Sequence, residues 1–430
     1  MYSAKMKLLP LAIASAILAG CGDATTNIVE KDPIVIKDPN PPVTKVSKGR
    51  LLVSDKSSAV VSVYDLDRSE LIEQFQLVNT PDAVYPSPGQ RYALVVQRAT
   101  DRVQVIDGGQ WQEDHGDHMH PYTERPKLMS FQLNASRPTH VQSNTSTTAV
   151  FMDGDAASRT PAAVVTLTEA NIAADKKDLP LLQYDTHMHG AAQPRGTQLI
   201  STIRDAASSD VLPDKVGVYS QAGGKFSLSQ TFTTPCPRLH GSAQNKGFIS
   251  FGCTDGVLLV AQNGSNFSAS KIANPADITG TSRIGTVDGH DDAAHFVGMA
   301  GAMVFAVDPQ ARTMSRIDWQ APAGAAIVGF GFTPKAKHFV LLDNQGHLTV
   351  LNYNGNTFSL AGKVQVATGL SAMPTGSRLE LTLAGSEYRA YVSNPVNKSV
   401  IAVDLAKLQV TSTLQLNYTP HKLTWLGIPQ

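Results

Sequence analysis

His189-Gly-Ala-Ala-Gln-Pro-Arg-Gly196 and His240-Gly-Ser-Ala-Gln-Asn-Lys-Gly247 carry one pattern, H-G-x-A-Q-x-x-G, repeated after about 50 residues. Each copy leads into a strand-length apolar run and then a second one, Val216-Gly-Val-Tyr219 after the first and Val257-Leu-Leu-Val260 after the second. Working outward, Thr139-His140 precedes a similar unit that runs into Ala149-Val-Phe-Met-Asp153-Gly154, and His290 precedes another that runs into Met303–Val307. A repeat of roughly 40 to 50 residues with several short strands cannot bury both its faces alone, and a ring of such units can. The sequence therefore predicts an all-β chain, a β-propeller of eight blades over residues 49–430, with seven as the alternative count. The segment Tyr418–Trp425 is expected to return to the first blade and close the ring, removing an exposed sheet edge. Ala170–Lys177 is the best short helix candidate.

Composition agrees with this reading. Lys+Arg and Asp+Glu balance at 36 each and only 17% of the 430 residues are charged, which excludes the broad basic surface that nucleic acid needs. With 42% hydrophobic residues the chain can bury a large core, and 33 Gly with 25 Pro, spread among Ser, Thr and Val, suit many short strands joined by turns.

The N-terminus sets the expected address. Lys5 and Lys7 precede an apolar run, Leu8–Leu18, that is too short to span a bilayer, and Leu18-Ala-Gly-Cys21 follows where cleavage belongs. This resembles a bacterial lipobox, so residues 1–20 are expected to be a signal peptide and Cys21 a lipidated N-terminus. Gly22 after the cysteine favours the periplasmic leaflet of the outer membrane. Residues 21–48, rich in Pro and without aromatics, read as a disordered tether. Contact with the membrane would be through the lipid only. The other cysteines, Cys236 and Cys253, belong to an exported region where thiols oxidise. A disulfide is expected, with a thiolate metal pair as the alternative.

Histidines suggest the chemistry. Side chains at one place in successive blades converge on one end of the central channel, so His140, His189 and His240, with His290 or His295 next in period, are expected to meet there. His187 shares a face with His189 if the segment is extended. Imidazole is the commonest ligand for transition metals, and several at one point suit Zn²⁺, with Asp153, Asp185 or Asp291 as candidate carboxylates. A second group is denser: Glu113-Asp114-His115-Gly116-Asp117-His118-Met119-His120-Pro121. Gly116 and Pro121 argue against a helix, so this reads as a flexible loop in which His115, His118 and His120 bind a cation, with Asp114 and Asp117 as weaker ligands. Met119 and Met188 leave Cu(I) open as a less favoured metal, because thioethers are soft. His338, His347 and His421 are isolated and read as structural. G-x-S-x-G, H-E-x-x-H and P-loop patterns are absent, and the chain is expected not to be an enzyme.

Taken together, Trp111-Gln-Glu-Asp-His115-Gly-Asp-His118-Met-His120-Pro-Tyr122, Arg137-Pro-Thr-His140, His187-Met-His-Gly190, Cys236-Pro-Arg-Leu-His-Gly241 and Phe251-Gly-Cys-Thr-Asp-Gly256 resemble the AztD-type periplasmic zinc chaperones. The resemblance covers most of the chain from Gly49. It implies a β-propeller that holds Zn²⁺ through histidines and hands it to the solute-binding protein of a zinc ABC importer. It also implies a mobile loading loop at His115, His118 and His120, a propeller-face site among His140, His187, His189 and His240, and a structural disulfide. A monomer that buffers and transfers zinc by ligand exchange is the resulting expectation. The lipid anchor departs from the soluble members of that family and makes anchored storage a variant of it. The alternatives are an interaction propeller without a metal role and a metal-dependent hydrolase.

Overall fold

The computed structural model describes residues 47–116 and 118–430. The expected signal peptide, the expected lipidation site Cys21, the expected tether up to residue 46 and Asp117 lie outside the described residues. The described residues belong to one compact unit.

Strands of four to eight residues dominate because runs such as Leu51-Leu52-Val53 are apolar on both faces. Leu51 and Val53 enter one cluster with Tyr391 and Val400, while Leu52 enters another with Ala93 and Val95. Alternation thus sends successive side chains of one strand into different layers. Repeated around the ring, this gives eight blades of four antiparallel strands with a hydrophobic layer at each of the eight blade junctions. The expected all-β propeller with eight blades is observed.

The inner strands of blades 1 to 8 are Pro420–Leu426, Ala83–Pro86, Pro138–Ser143, Ala192–Arg195, Ser242–Gln244, Thr286–Asp288, Ile327–Phe332 and Glu380–Leu383. Blade 1 is built from both ends of the unit, with Leu51 paired to Trp425 and Leu52 to Thr424. The C-terminal strand therefore closes the ring as expected. Blades 3 and 4 also touch at their outer edges through one parallel pair, Leu181 and Lys225. Among the described residues the α-helix is Glu169–Ala173, started by a Thr168–Asn171 capping box one residue before the expected position. No described helix is long and apolar enough to cross a membrane.

One detail corrects the reading of the sequence. Residues 110–123 are a β-hairpin, Gln110–Asp114 paired with Met119–Thr123, where a flexible loop was expected. Gly116 supplies the positive φ of +90° that the tip requires, and Pro121 is tolerated because both strands of a two-stranded hairpin are edges. Cys236 and Cys253 are joined in the expected disulfide, in place of the alternative thiolate metal pair.

Candidate metal centre

Each inner strand begins at one face of the disc, called here the upper mouth, and ends at the lower. His140 lies near the start of the inner strand of blade 3, His189 three residues before that of blade 4 and His240 two residues before that of blade 5. All three therefore sit at the upper mouth. Their rings are in contact, with centroids 4.7 Å apart for His140–His189, 5.3 Å for His189–His240 and 6.3 Å for His140–His240. A small cavity of about 30 Å³ lies among them, with room for little more than one water-sized occupant.

The local hydrogen bonds fix which nitrogens face the cavity. His189 Nδ1 donates to Asp153 Oδ2 at 3.0 Å, and Asp153, in the turn after the second strand of blade 3, is also held by Arg98 at 2.8 Å. His240 Nδ1 donates to the Gly285 carbonyl at 2.8 Å. Both acceptors lack a proton to give, so each of these Nδ1 atoms carries the hydrogen, and in the neutral rings Nε2 carries the lone pair. His140 Nε2 lies 3.2 Å from His189 Nε2 and donates to it. Two nitrogens bound to one Zn²⁺ at about 2.0–2.1 Å in a tetrahedron would stand roughly 3.3 Å apart, so this pair already has the spacing of two ligands. Burial, then the neighbouring His189, push the His140 imidazole down to about 4, and burial lowers His240 as well. Neutral imidazole is the form that binds metal.

The loop that carries His240 is pinned from below. His240 N–H donates to the Gly252 carbonyl at 3.0 Å and Gly252 N–H to the Gly241 carbonyl at 3.1 Å, one residue before Cys253 of the disulfide. Gly252 has no substitute here, since a Cβ would collide with the Ile284 carbonyl and crowd that of His240.

Other expected ligands stand elsewhere. His187 makes no ring contact with the three, and its carbonyl accepts from Arg204. Asp185 is exposed beside Tyr219. His290 follows its inner strand instead of preceding it, and so lies with Asp291 at the lower mouth near Lys246. His295 is buried against Tyr353. Met188 is buried against Thr202, and Met119 pairs with Asp114 on the hairpin, away from the imidazoles; neither thioether joins a histidine group.

His115, His118 and His120 do come together, at ring separations of 5.4–6.3 Å, on the hairpin. The hairpin joins the third and fourth strands of blade 2 at the lower face, after Asp107, so it lies at the opposite end from the upper mouth. Among the described residues no three His, Cys, Asp or Glu donors are closed to ion-holding distances: at the mouth two nitrogens are in place and the third ring stands off.

No family model matches the chain. A zinc chaperone from Citrobacter koseri, AztD, is 23% identical over 387 residues, covering 89% of this chain and 87% of that one. The chain is AztD-like. The crystal structure of Citrobacter koseri AztD superposes with a TM-score of 0.75 at 20% identity over 87% of this chain and 96% of AztD, and apo AztD with 0.73 at 19% over 87% and 97%. A dihydro-heme d1 dehydrogenase, NirN, shares the fold at a TM-score of 0.59 and 11% identity, over 90% of this chain and 77% of that one. The AztD likeness extends along most of the chain in both sequence and fold.

Proposed function

We propose that this AztD-like chain binds Zn²⁺ as cargo at the upper mouth through His140, His189 and His240, and passes it on without catalysing a reaction. The observation that carries this reading is the 3.2 Å approach of His140 Nε2 to His189 Nε2, with His189 held from behind by Asp153. Binding at both nitrogens requires the His140 proton to shift from Nε2 to Nδ1, the neutral tautomer that frees the Nε2 lone pair, and a swing of the His240 ring would supply the third donor. Asp153 remains outside the ligand set as the acceptor for His189, a partnership that orients imidazole ligands and raises their basicity.

The likeness to a zinc chaperone supports transfer, and the sequence supports the finer points: export, a lipid anchor at Cys21, a periplasmic location, and delivery to the solute-binding protein of a zinc ABC importer. Ligand exchange, one imidazole at a time, would move the ion without free release. The deciding experiment is metal analysis of the purified protein with competition titration of His140→Ala and His189→Ala. The expected result is zinc uptake that both variants weaken strongly. A protein indifferent to zinc, or variants that bind it as well as the parent, would instead support an interaction propeller.

A further inference from the structure

In blade 4 the second and third strands, Gln198–Ile203 and Lys215–Ala222, are joined at the upper face by residues 204–214, where blades 5 and 6 turn in two residues, 254–255 and 301–302. This long connection contains no glycine and is folded by its own side chains. Asp205 Oδ1 accepts from the Ala207 N–H at 2.9 Å, Ser208 Oγ from the Asp210 N–H at 3.1 Å and Asp210 Oδ1 from the Leu212 N–H at 3.1 Å. Arg204 then ties the loop to its neighbour. Its Nε donates to the Asp210 carbonyl at 2.6 Å and its Nη2 to that of Ser208 at 2.5 Å, both within the loop. Its Nη1 reaches Thr186 Oγ1 at 3.1 Å and the His187 carbonyl at 3.2 Å, in the segment that leads to His189. A planar guanidinium can hold acceptors on two segments at once, which the point charge of a lysine cannot.

Beyond Arg204 the loop crosses both histidine segments. The Val211 carbonyl accepts from the His189 N–H at 3.0 Å, the Pro213 carbonyl from the Leu239 N–H at 2.9 Å and the Asp214 carbonyl from the Cys236 N–H at 2.8 Å. Asp210 also pairs with Arg238 at 2.9 Å. His140 is held differently, within the inner strand of blade 3 and paired with Phe151. One ring of the mouth is therefore carried by a sheet, and two by segments bonded to a single loop.

Building on the zinc reading above, we infer that residues 204–214 are a strap that sets His189 and His240 together, and that Arg204 is the positioning residue that locks it. Arg204 acts through backbone carbonyls and Thr186, not on the ion. A locked strap keeps the two rings at ligand spacing. A loosened one lets both draw back while His140 keeps the ion, which makes His140 the last ligand to let go during exchange.

The test uses the full-length His115→Ala/His118→Ala/His120→Ala variant, so that the upper mouth alone is read, with Zn²⁺ or Co²⁺ as the probe. Adding Arg204→Gln should weaken zinc binding about 10–100-fold, the range for losing an outer partner of a metal site, and should speed dissociation. It should also change the visible absorption of bound Co²⁺, which reports ligand geometry, while the thermal melt of the apo protein stays close to that of the parent. Arg204→Lys should not restore the parent's values. Thr186→Val, which removes one acceptor and leaves the loop intact, should give a smaller loss in the same direction. Unchanged affinity, dissociation rate and Co²⁺ spectrum in Arg204→Gln would overturn the inference. So would an affinity that falls only in step with the melting temperature while the spectrum stays that of the parent, since that is a merely structural role. A triple variant that takes up no zinc before Arg204 is touched is a different result: it refutes the upper-mouth reading, and the strap with it.

Discussion

His189 Nδ1 donates to Asp153 Oδ2 at 3.0 Å, on the same oxygen that Arg98 holds at 2.8 Å. A buried carboxylate with side-chain exposure of 8% thus links a surface guanidinium to an imidazole at the mouth. Asp153→Asn keeps an oxygen for His189 but removes the charge and the ion pair. Competition titration should show zinc affinity at the mouth reduced about 10–100-fold, with the circular dichroism of the propeller unchanged.

Acid should act on the apo protein before it competes for the mouth. His140 and His421 are both pushed down to about 4, chiefly by burial, the first reinforced by His189 and the second by Lys422. In the unfolded chain each takes up its proton near 6.5, so between about 6.5 and 4 the unfolded state binds more protons than the native one. Apo stability should fall as pH drops through that window and level off below it, measured by thermal melts at stepped pH. At the mouth His140 stays neutral to about pH 4, so its contribution to zinc affinity should persist between pH 7 and 5. A loss of that contribution centred at the free imidazole value of about 6.5 would contradict the buried geometry.

Breaking the disulfide should cost both stability and the mouth. Cys236 and Cys253 are 17 residues apart and completely buried, and a loop of that size contributes about 3 kcal/mol. Because the same segment carries His240, the Cys236→Ser/Cys253→Ser variant should melt earlier and bind zinc more weakly at the mouth, while the hairpin keeps its affinity. Calorimetry and titration of the two sites separate these effects.

His290→Ala and His187→Ala should leave zinc affinity at the mouth within about twofold of the parent, since neither ring is in contact with the three. A tenfold loss in either would show that the ligand set extends beyond His140, His189 and His240.

The blade pattern was legible because strands buried on both faces spell themselves as unbroken apolar runs, and because His189 and His240 occupy the same place before their inner strands. His290 misled by its spacing. The connection from Asn274 to Gly285 is long enough to delay the inner strand of blade 6 to Thr286–Asp288, so the histidine at the next period falls past the strand. Counting residues measures the chain, and convergence depends on the position along the strand. In the hairpin the signal was present in the alternation Trp111-x-Glu113-x-His115 and His118-x-His120-x-Tyr122. The same alternation sets Asp114 opposite Met119, on the other face. Asp153 was found as a carboxylate at the right mouth, but its role as a partner of His189 depends on contacts with Arg98 that connect different blades, which local spacing does not encode.

Because Leu51 and Leu52 lie against Trp425 and Thr424, the first strand of the unit must wait for the last before it has a neighbour on its inner side. Residues 420–426 have to be made before the circle can be completed. Until then the nascent chain is an open stack with two raw edges, and truncation before residue 420 would leave it so. Closure of the ring is therefore a late event, set by the strand that carries Trp425.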